Sequence, residues 1–128
     1  MVVDDSVATR KYILFALRSQ GCKVLIARDD KEAHEKLGKE NIDLVITDLS
    51  LPNIDGIDLV KSIQNHPNYG DLPIIVIASL TRDEKIQLSE KLGKNVRLIR
   101  PFDRKQVQFE VAKFLIKKRH DSPPQATE

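Results

Sequence analysis

Three carboxylates, and the loop that follows one of them, carry the chemistry open to this chain. Asp4 and Asp5 end the first β-branched run, Val2-Val3, and Asp48 ends another, Leu44-Val45-Ile46-Thr47. Two like charges ~4 Å apart repel by roughly 4 kcal/mol at an effective dielectric near 20. A cluster of such groups binds protons or recruits a cation. Hard oxygen ligands select Mg²⁺, which keeps several waters and leaves positions open to a phosphate. Taken alone, Asp4-Asp5 reads more readily as an acidic pair capping a helix, favoured by the dipole. Asp48 is different, because Leu49-Ser50-Leu51-Pro52-Asn53-Ile54-Asp55-Gly56 follows it, and Pro52 and Gly56 mark a loop rather than a helix for Asp48 to cap.

Those acids meet only if the elements around them bring their strands together. Short β-branched runs alternate with longer amphipathic stretches. Five runs read as strands: Val2-Val3, Val24-Leu25-Ile26, Leu44-Val45-Ile46, Pro73-Ile74-Ile75-Val76-Ile77 and Val96-Arg97-Leu98-Ile99. The near-continuous apolar character of the third and fourth predicts strands covered on both faces. The first helix starts near Ser6 as N-cap, turns Ile13, Ala16 and Leu17 inward, and stops at Gly21. Helices follow over 30–39 with Ala33 and Leu37 inside, over 57–65 with Leu59, Val60 and Ile63, and over 82–92 up to Gly93 as a left-handed cap. The last opens on Asp103 and runs through Val107, Val111, Phe114 and Leu115. Five βα units in succession imply an α/β, doubly wound parallel sheet with right-handed crossovers. Sites in such a sheet form at the carboxyl ends of the strands, where the first and third are neighbours, so Asp4, Asp5 and Asp48 converge.

The chain has 128 residues and a mass of 14.5 kDa, room for one domain and a short tail. Apolar residues make up 41% and charged residues 31%, which excludes a disordered polyelectrolyte, and the longest apolar run, Tyr12 to Leu17, is too short to span a membrane. The charge balance, 21 − 19 = +2, is too weak a surplus to argue for direct nucleic-acid binding. One cysteine, Cys22, forms no internal disulfide and reads as a small apolar group, and the three histidines are too far apart for a local metal motif. A reducing, cytoplasmic setting is the expectation, and Met1-Val2-Val3-Asp4-Asp5 does not resemble a secretory signal. Val2-Val3 is about half of a typical strand of ~5 to 6 residues, so a first strand trimmed upstream is also expected. Phe109 is expected in the core. The Lys113, Lys117, Lys118, Arg119 cluster reads as a solvated helix end. Residues 1–118 form the expected domain, and residues 119–128 a disordered tail or linker.

With Asp4-Asp5, the stretch from Asp48 to Gly56, the Pro73 strand and Arg100-Pro101-Phe102 in hand, the chain resembles the receiver domain of bacterial two-component response regulators over residues 1 to about 118. The resemblance implies the flavodoxin-like strand order 2-1-3-4-5 with five helices. It implies that Asp48 accepts a phosphoryl group from a sensor histidine kinase or phosphotransfer protein, forming an acyl phosphate. Mg²⁺ would be held by Asp5, Asp48 and the Ser50 carbonyl, with Asp4 acting through water. Amides of Leu49, Ser50 and Ser79, together with Arg100, would receive the phosphoryl oxygens, and a downstream protein would read the outcome.

Three positions depart from the family pattern. Ala78 stands where a switch Thr or Ser is usual, and alternation points Ser79 to the other face unless the strand end bulges. Arg100 stands where a lysine is usual. It keeps the charge but not the geometry of an ammonium, and an ion pair with Asp48 is the expected compensation. Arg97 replaces the usual switch aromatic and is expected to point to solvent. The family pattern also allows a cis Arg100-Pro101 bond. The last helix lacks the Glu-Leu-x-Ala-Arg pattern of receivers that dimerise ahead of winged-helix domains. The departures keep a second reading in view, a pseudo-receiver working as a phosphorylation-independent interaction module. Enzyme readings fail on motifs: Ser6 stands where a dehalogenase-type phosphatase needs its second Asp, and the first glycine, Gly21, comes too late for a dinucleotide turn. The chain is therefore expected to be no enzyme beyond catalysing its own phosphotransfer and dephosphorylation.

Overall fold

The computed structural model describes residues 1–18, 20–50 and 55–121, and with side chains up to Lys117. Ten elements alternate along it: β1 (Val2–Val3), α1 (Val7–Arg18), β2 (Ile26–Ala27), α2 (Asp30–Lys39), β3 (Val45–Asp48), α3 (Gly56–Gln64), β4 (Ile74–Ile77), α4 (Arg82–Leu92), β5 (Val96–Ile99) and α5 (Arg104–Asp121). The strands form one parallel sheet in the order β2-β1-β3-β4-β5, the order that the family resemblance implies. Pro52, read above as a loop marker, and residues 122–128 of the expected tail lie outside the described residues. The backbone of α5 is helical through Asp121.

Side chains of successive strand residues point to opposite faces, and the core divides accordingly. Val3, Val45, Val76 and Leu98 face a cluster built with Ala33 and Leu37 of α2, Leu59 and Ile63 of α3, and Leu88 and Leu92 of α4. Val2, Ile46, Ile75, Ile77 and Ile99 face the opposite cluster with Ile13, Ala16 and Leu17 of α1 and Val107 and Val111 of α5. Each fully buried aliphatic side chain contributes about 1.5–3 kcal/mol relative to exposure, which outweighs the weak intrinsic preference of such short helices.

The helix ends follow the expected chemistry. Ser6 Oγ accepts from the Thr9 amide at 3.3 Å, and Asp103 Oδ1 accepts from the Gln106 amide at 3.0 Å. Thr81 and Glu84 close a capping box on α4, which sets its start without relying on the few apolar residues of that helix. Gly93 ends α4 at φ +89°, a conformation that favours glycine.

Four expectations are corrected. The second strand begins at Ile26 rather than Val24, because β1 offers only Val2 and Val3 for it to pair with. Among the described residues no peptide bond is cis, so Arg100-Pro101, which the family pattern allows to be cis, is trans. Phe109 is 58% exposed, because it lies on the side of α5 away from Val107 and Val111, and Lys113 Nζ sits 5.2 Å from its ring centroid. The Arg100 pairing is treated below.

Gly56 joins the sheet to α3 by close approach. Its amide donates to the Leu49 carbonyl at 2.8 Å, and a Cβ there would stand 2.6 Å from the carbonyl oxygens of both Asp48 and Leu49. Because all of these neighbours are backbone, no rotamer change relieves the clash. Gly56→Ala is expected to lose about 1–3 kcal/mol of stability, read as a lower urea midpoint with unchanged slope; a midpoint equal to the wild type would refute this close-packing account.

Candidate functional site

The parallel register Val2↔Ile46 and Val3↔Thr47 continues past the end of β1, setting Asp4 alongside Asp48 at the carboxyl edge of the sheet. Asp4 is buried, at 1% exposure. Its Oδ1 accepts from the Ser6 amide at 2.7 Å, while Oδ2 is buried without a hydrogen-bond partner among the described residues. Burial above all pushes the Asp4 carboxyl up to about 6, opposed by the Ser6 hydrogen bond; the charges of Asp48 and Asp5 add to the rise, and Arg10 works against it. Asp5 is exposed and Asp48 half-buried. The Asp48 Oδ1 accepts from the Ser50 amide at 3.0 Å, an Asx-type turn directly after β3.

The three acids thus share one edge and repel one another there. Among the described residues, no three His, Cys, Asp or Glu side chains stand close enough together to form a ready-made ligand set. The orphaned Asp4 oxygen and the mutual repulsion nevertheless fit a hard cation, whose charge would relieve both.

The remaining predicted positions separate. The Leu49 amide already donates to the Ile77 carbonyl at 3.1 Å as part of the β3–β4 ladder, so it is not free to receive a phosphoryl oxygen in this arrangement. Ser79 is exposed, just beyond β4. Ala78 is buried on the face of Val76 and Leu98, its amide donating to the Ile99 carbonyl at 2.9 Å. Arg100 is exposed and, among the described residues, forms no ion pair, so the expected pairing with Asp48 is not made; a guanidinium gains little by leaving water for a partly buried carboxylate. Arg97 points to solvent as expected and is held there by Glu110 at 3.5 Å and by the Lys94 carbonyl at 3.1 Å.

Two residues at the site carried no signal in the linear pattern. Gly56 read only as a loop marker, whereas its lack of a side chain lets α3 abut the Asp48–Leu49 backbone. Tyr12 read only as part of an apolar run, yet its hydroxyl is buried without a hydrogen-bond partner among the described residues, and burial above all pushes its pKa up. Only the packing of α1 against the β5–α5 connection could reveal that.

The doubly wound sheet with acids gathered at the ends of its first and third strands defines the class, and comparison with known proteins places the chain within it. Residues 1–112 match the family described as the response regulator receiver domain. A chemotaxis protein CheY homolog of Campylobacter jejuni is 34% identical over 80% of this chain and 80% of its own length. The CAI-1 autoinducer sensor kinase/phosphatase CqsS of Vibrio cholerae is 31% identical over 88% of this chain, which spans only 16% of that much longer protein. Among solved structures, the chemotaxis response regulator CheY4 of Vibrio cholerae superposes with a TM-score of 0.78 at 28% identity, covering 88% of this chain and 94% of that one. The Mn²⁺-bound form of response regulator Rcp1 superposes at 0.73 with 25% identity, covering 89% and 91%. The chain belongs to the response regulator receiver domain family. No helix among the described residues is long and apolar enough to cross a membrane.

The raised Asp4 carboxyl has a stability consequence. The folded state holds this proton more tightly than the unfolded chain, so its contribution favours folding at low pH and is lost as pH rises through about 6. The unshifted value is 3.8, so ionised Asp4 costs about 3 kcal/mol at neutral pH. Without divalent cations, Asp4→Asn is expected to be the more stable protein at pH 7.5, with the difference shrinking towards pH 4. Urea unfolding at the two pH values measures it, and a pH-independent difference would contradict the assigned strain.

Proposed function

We propose that this chain is a phosphorylatable receiver: Asp48 takes a phosphoryl group from a phosphohistidine of a sensor kinase or phosphotransfer protein, and the chain relays the change through protein contacts. The observation that carries this reading is the placement of Asp48, half-buried at the end of a central strand, beside a buried and electrostatically strained Asp4. One Asp48 carboxylate oxygen attacks phosphorus, the P–N bond to the imidazole breaks as the P–O bond forms, and the departing ring nitrogen keeps the electron pair and takes a proton.

Mg²⁺, held by Asp5, Asp48 and the Ser50 carbonyl with Asp4 acting through water, would neutralise charge on the transferring group. The Ser50 amide is already directed at the Asp48 carboxylate, and it reaches a phosphoryl oxygen by a small shift. The Ser79 amide lies just past β4 on the same edge; Leu49 would first have to release Ile77. Arg100, free in solvent, swings in as the cation for the phosphoryl group once a dianion gives it a partner stronger than a lone carboxylate. Residues 1–118 act as the signalling unit, in the cytoplasm, without direct contact to nucleic acid.

Incubation with Mg²⁺ and a small phosphodonor, followed by intact-mass measurement, tests this. The wild type is expected to gain one phosphoryl group, and Asp48→Ala none. Absence of any gain would overturn the reading in favour of a phosphorylation-independent binding module. Asp5→Ala is expected to lose Mg²⁺ binding and phosphorylation together, whereas phosphorylation that persists would show the cation to be misplaced. Ala78→Thr combined with Arg100→Lys is expected to speed phosphoryl uptake, and an unchanged rate would mean that those two positions are neutral.

A further inference from the structure

Arg97 takes no part in the chemistry at the Asp48 edge, and its surroundings give it another use. Its Nε lies 3.5 Å from Glu110 Oε2, and its Nη1 donates to the Lys94 carbonyl at 3.1 Å. The other oxygen of the same carboxylate, Oε1, lies 3.5 Å from Lys113 Nζ. The Glu110 side chain is only 10% exposed, whereas those of Arg97 and Lys113 are about half exposed. One largely buried carboxylate therefore brings two cations to the same place. At 3.5 Å each contact is looser than a tight charge-assisted hydrogen bond of about 2.7–2.9 Å, and both cations keep N–H donors for a further anion.

These groups line a cavity of about 390 Å³ at the amino edge of the sheet, where β4 and β5 begin, the edge opposite Asp48. Lys94 and Lys117 add two more cations, and Glu110 is the only acid in the lining. That is a large local surplus for a chain whose total charge is +2, and a concave wall focuses its field. Charge alone would suit any anion, but the rest of the lining is more selective. Pro73, Phe114 and Ile116 form an apolar side, and Asn95 adds an amide that offers donor and acceptor together. The volume falls within the roughly 300–1,000 Å³ of small-molecule sites, so a bare inorganic anion, only a few times the ~30 Å³ of a water molecule, would leave most of it empty.

We propose that this cavity binds a nucleotide, with the phosphate on Arg97, Lys113, Lys94 and Lys117, the base against the apolar side, and Asn95 at the base edge. Arg97 supplies the planar fork that fits phosphate oxygens, and Glu110 is the positioning residue that holds the fork in place. The site does not depend on phosphorylation of Asp48. It gives a use to the arginine that stands where the family pattern has a switch aromatic, and to the lysines along the second half of α5.

Calorimetric titration of the wild-type chain with AMP, GMP, CMP and UMP, without divalent cations and in about 0.15 M KCl so that diffuse surface attraction is screened, tests this. At least one nucleotide is expected to saturate a single site, with its parent nucleoside and inorganic phosphate each at least about tenfold weaker. Arg97→Gln is expected to weaken that nucleotide by at least about tenfold, the worth of one hydrogen bond to a charged group. Lys117→Gln, which removes an exposed lysine without an ion pair among the described residues, is expected to weaken it severalfold, and Asp48→Ala to leave it unchanged. The nucleotide site is overturned if none of the four saturates, if inorganic phosphate or oligoglutamate binds as tightly as the best of them, or if both cavity variants keep the wild-type affinity. Binding that disappears in Asp48→Ala would put the nucleotide at the other edge of the sheet and overturn it as well.

Discussion

A carboxylate buried beside another carboxylate is the constraint on which the rest of this molecule turns. Asp4 sits at the end of β1 with one oxygen satisfied by Ser6 and the other, among the described residues, unpartnered, and Asp48 closes the adjacent strand. Neither side chain placed itself there by local preference. The parallel pairing of β1 with β3, held from both faces by aliphatic clusters, forces the two strand ends together, and burial of the flanking strands outweighs the repulsion. The fold therefore stores electrostatic strain at its carboxyl edge, where a cation or a proton can release it.

Around that edge, structure has been fitted closely on one side and left loose on the other. Gly56 lets the start of α3 touch the Asp48–Leu49 backbone, and an isolated antiparallel bridge pairs Ser50 with Asp55. Asp55 caps α3 through the Ile57 amide at 2.9 Å, so one helix end fixes the geometry of the site. On the opposite flank, Arg100 is in solvent and Phe102 is held in a strained backbone conformation. The Arg97–Glu110 ion pair joins a half-exposed guanidinium to a largely buried carboxylate and fixes a direction for the guanidinium away from the site.

The order of the elements was open to reading because periodicity and caps are local. Apolar spacing gave α2 and α3 nearly to the residue, Gly93 marked the end of α4, and Asp103 the start of α5. The errors arose where a residue depends on something distant. Val24 and Leu25 have strand chemistry but fall outside the β1–β2 register, where Leu25 only accepts from the Val2 amide, and Phe109 has core chemistry but faces away from the sheet. Arg100 was expected to pair with Asp48 on charge alone, although solvation is the larger effect for an exposed guanidinium.

The linear chain by itself determined the alternation of strand and helix, the two-sided burial of the central strands, and the acids that end the first and third of them, because each is written in neighbouring residue types. Tertiary structure alone decided that Asp4 loses its water while Asp5 keeps it, that the Leu49 amide is spent on Ile77, and that the hydroxyl of Tyr12 is buried. Those outcomes depend on which surfaces the helices cover, and desolvation is a property of the packed whole that no local pattern encodes.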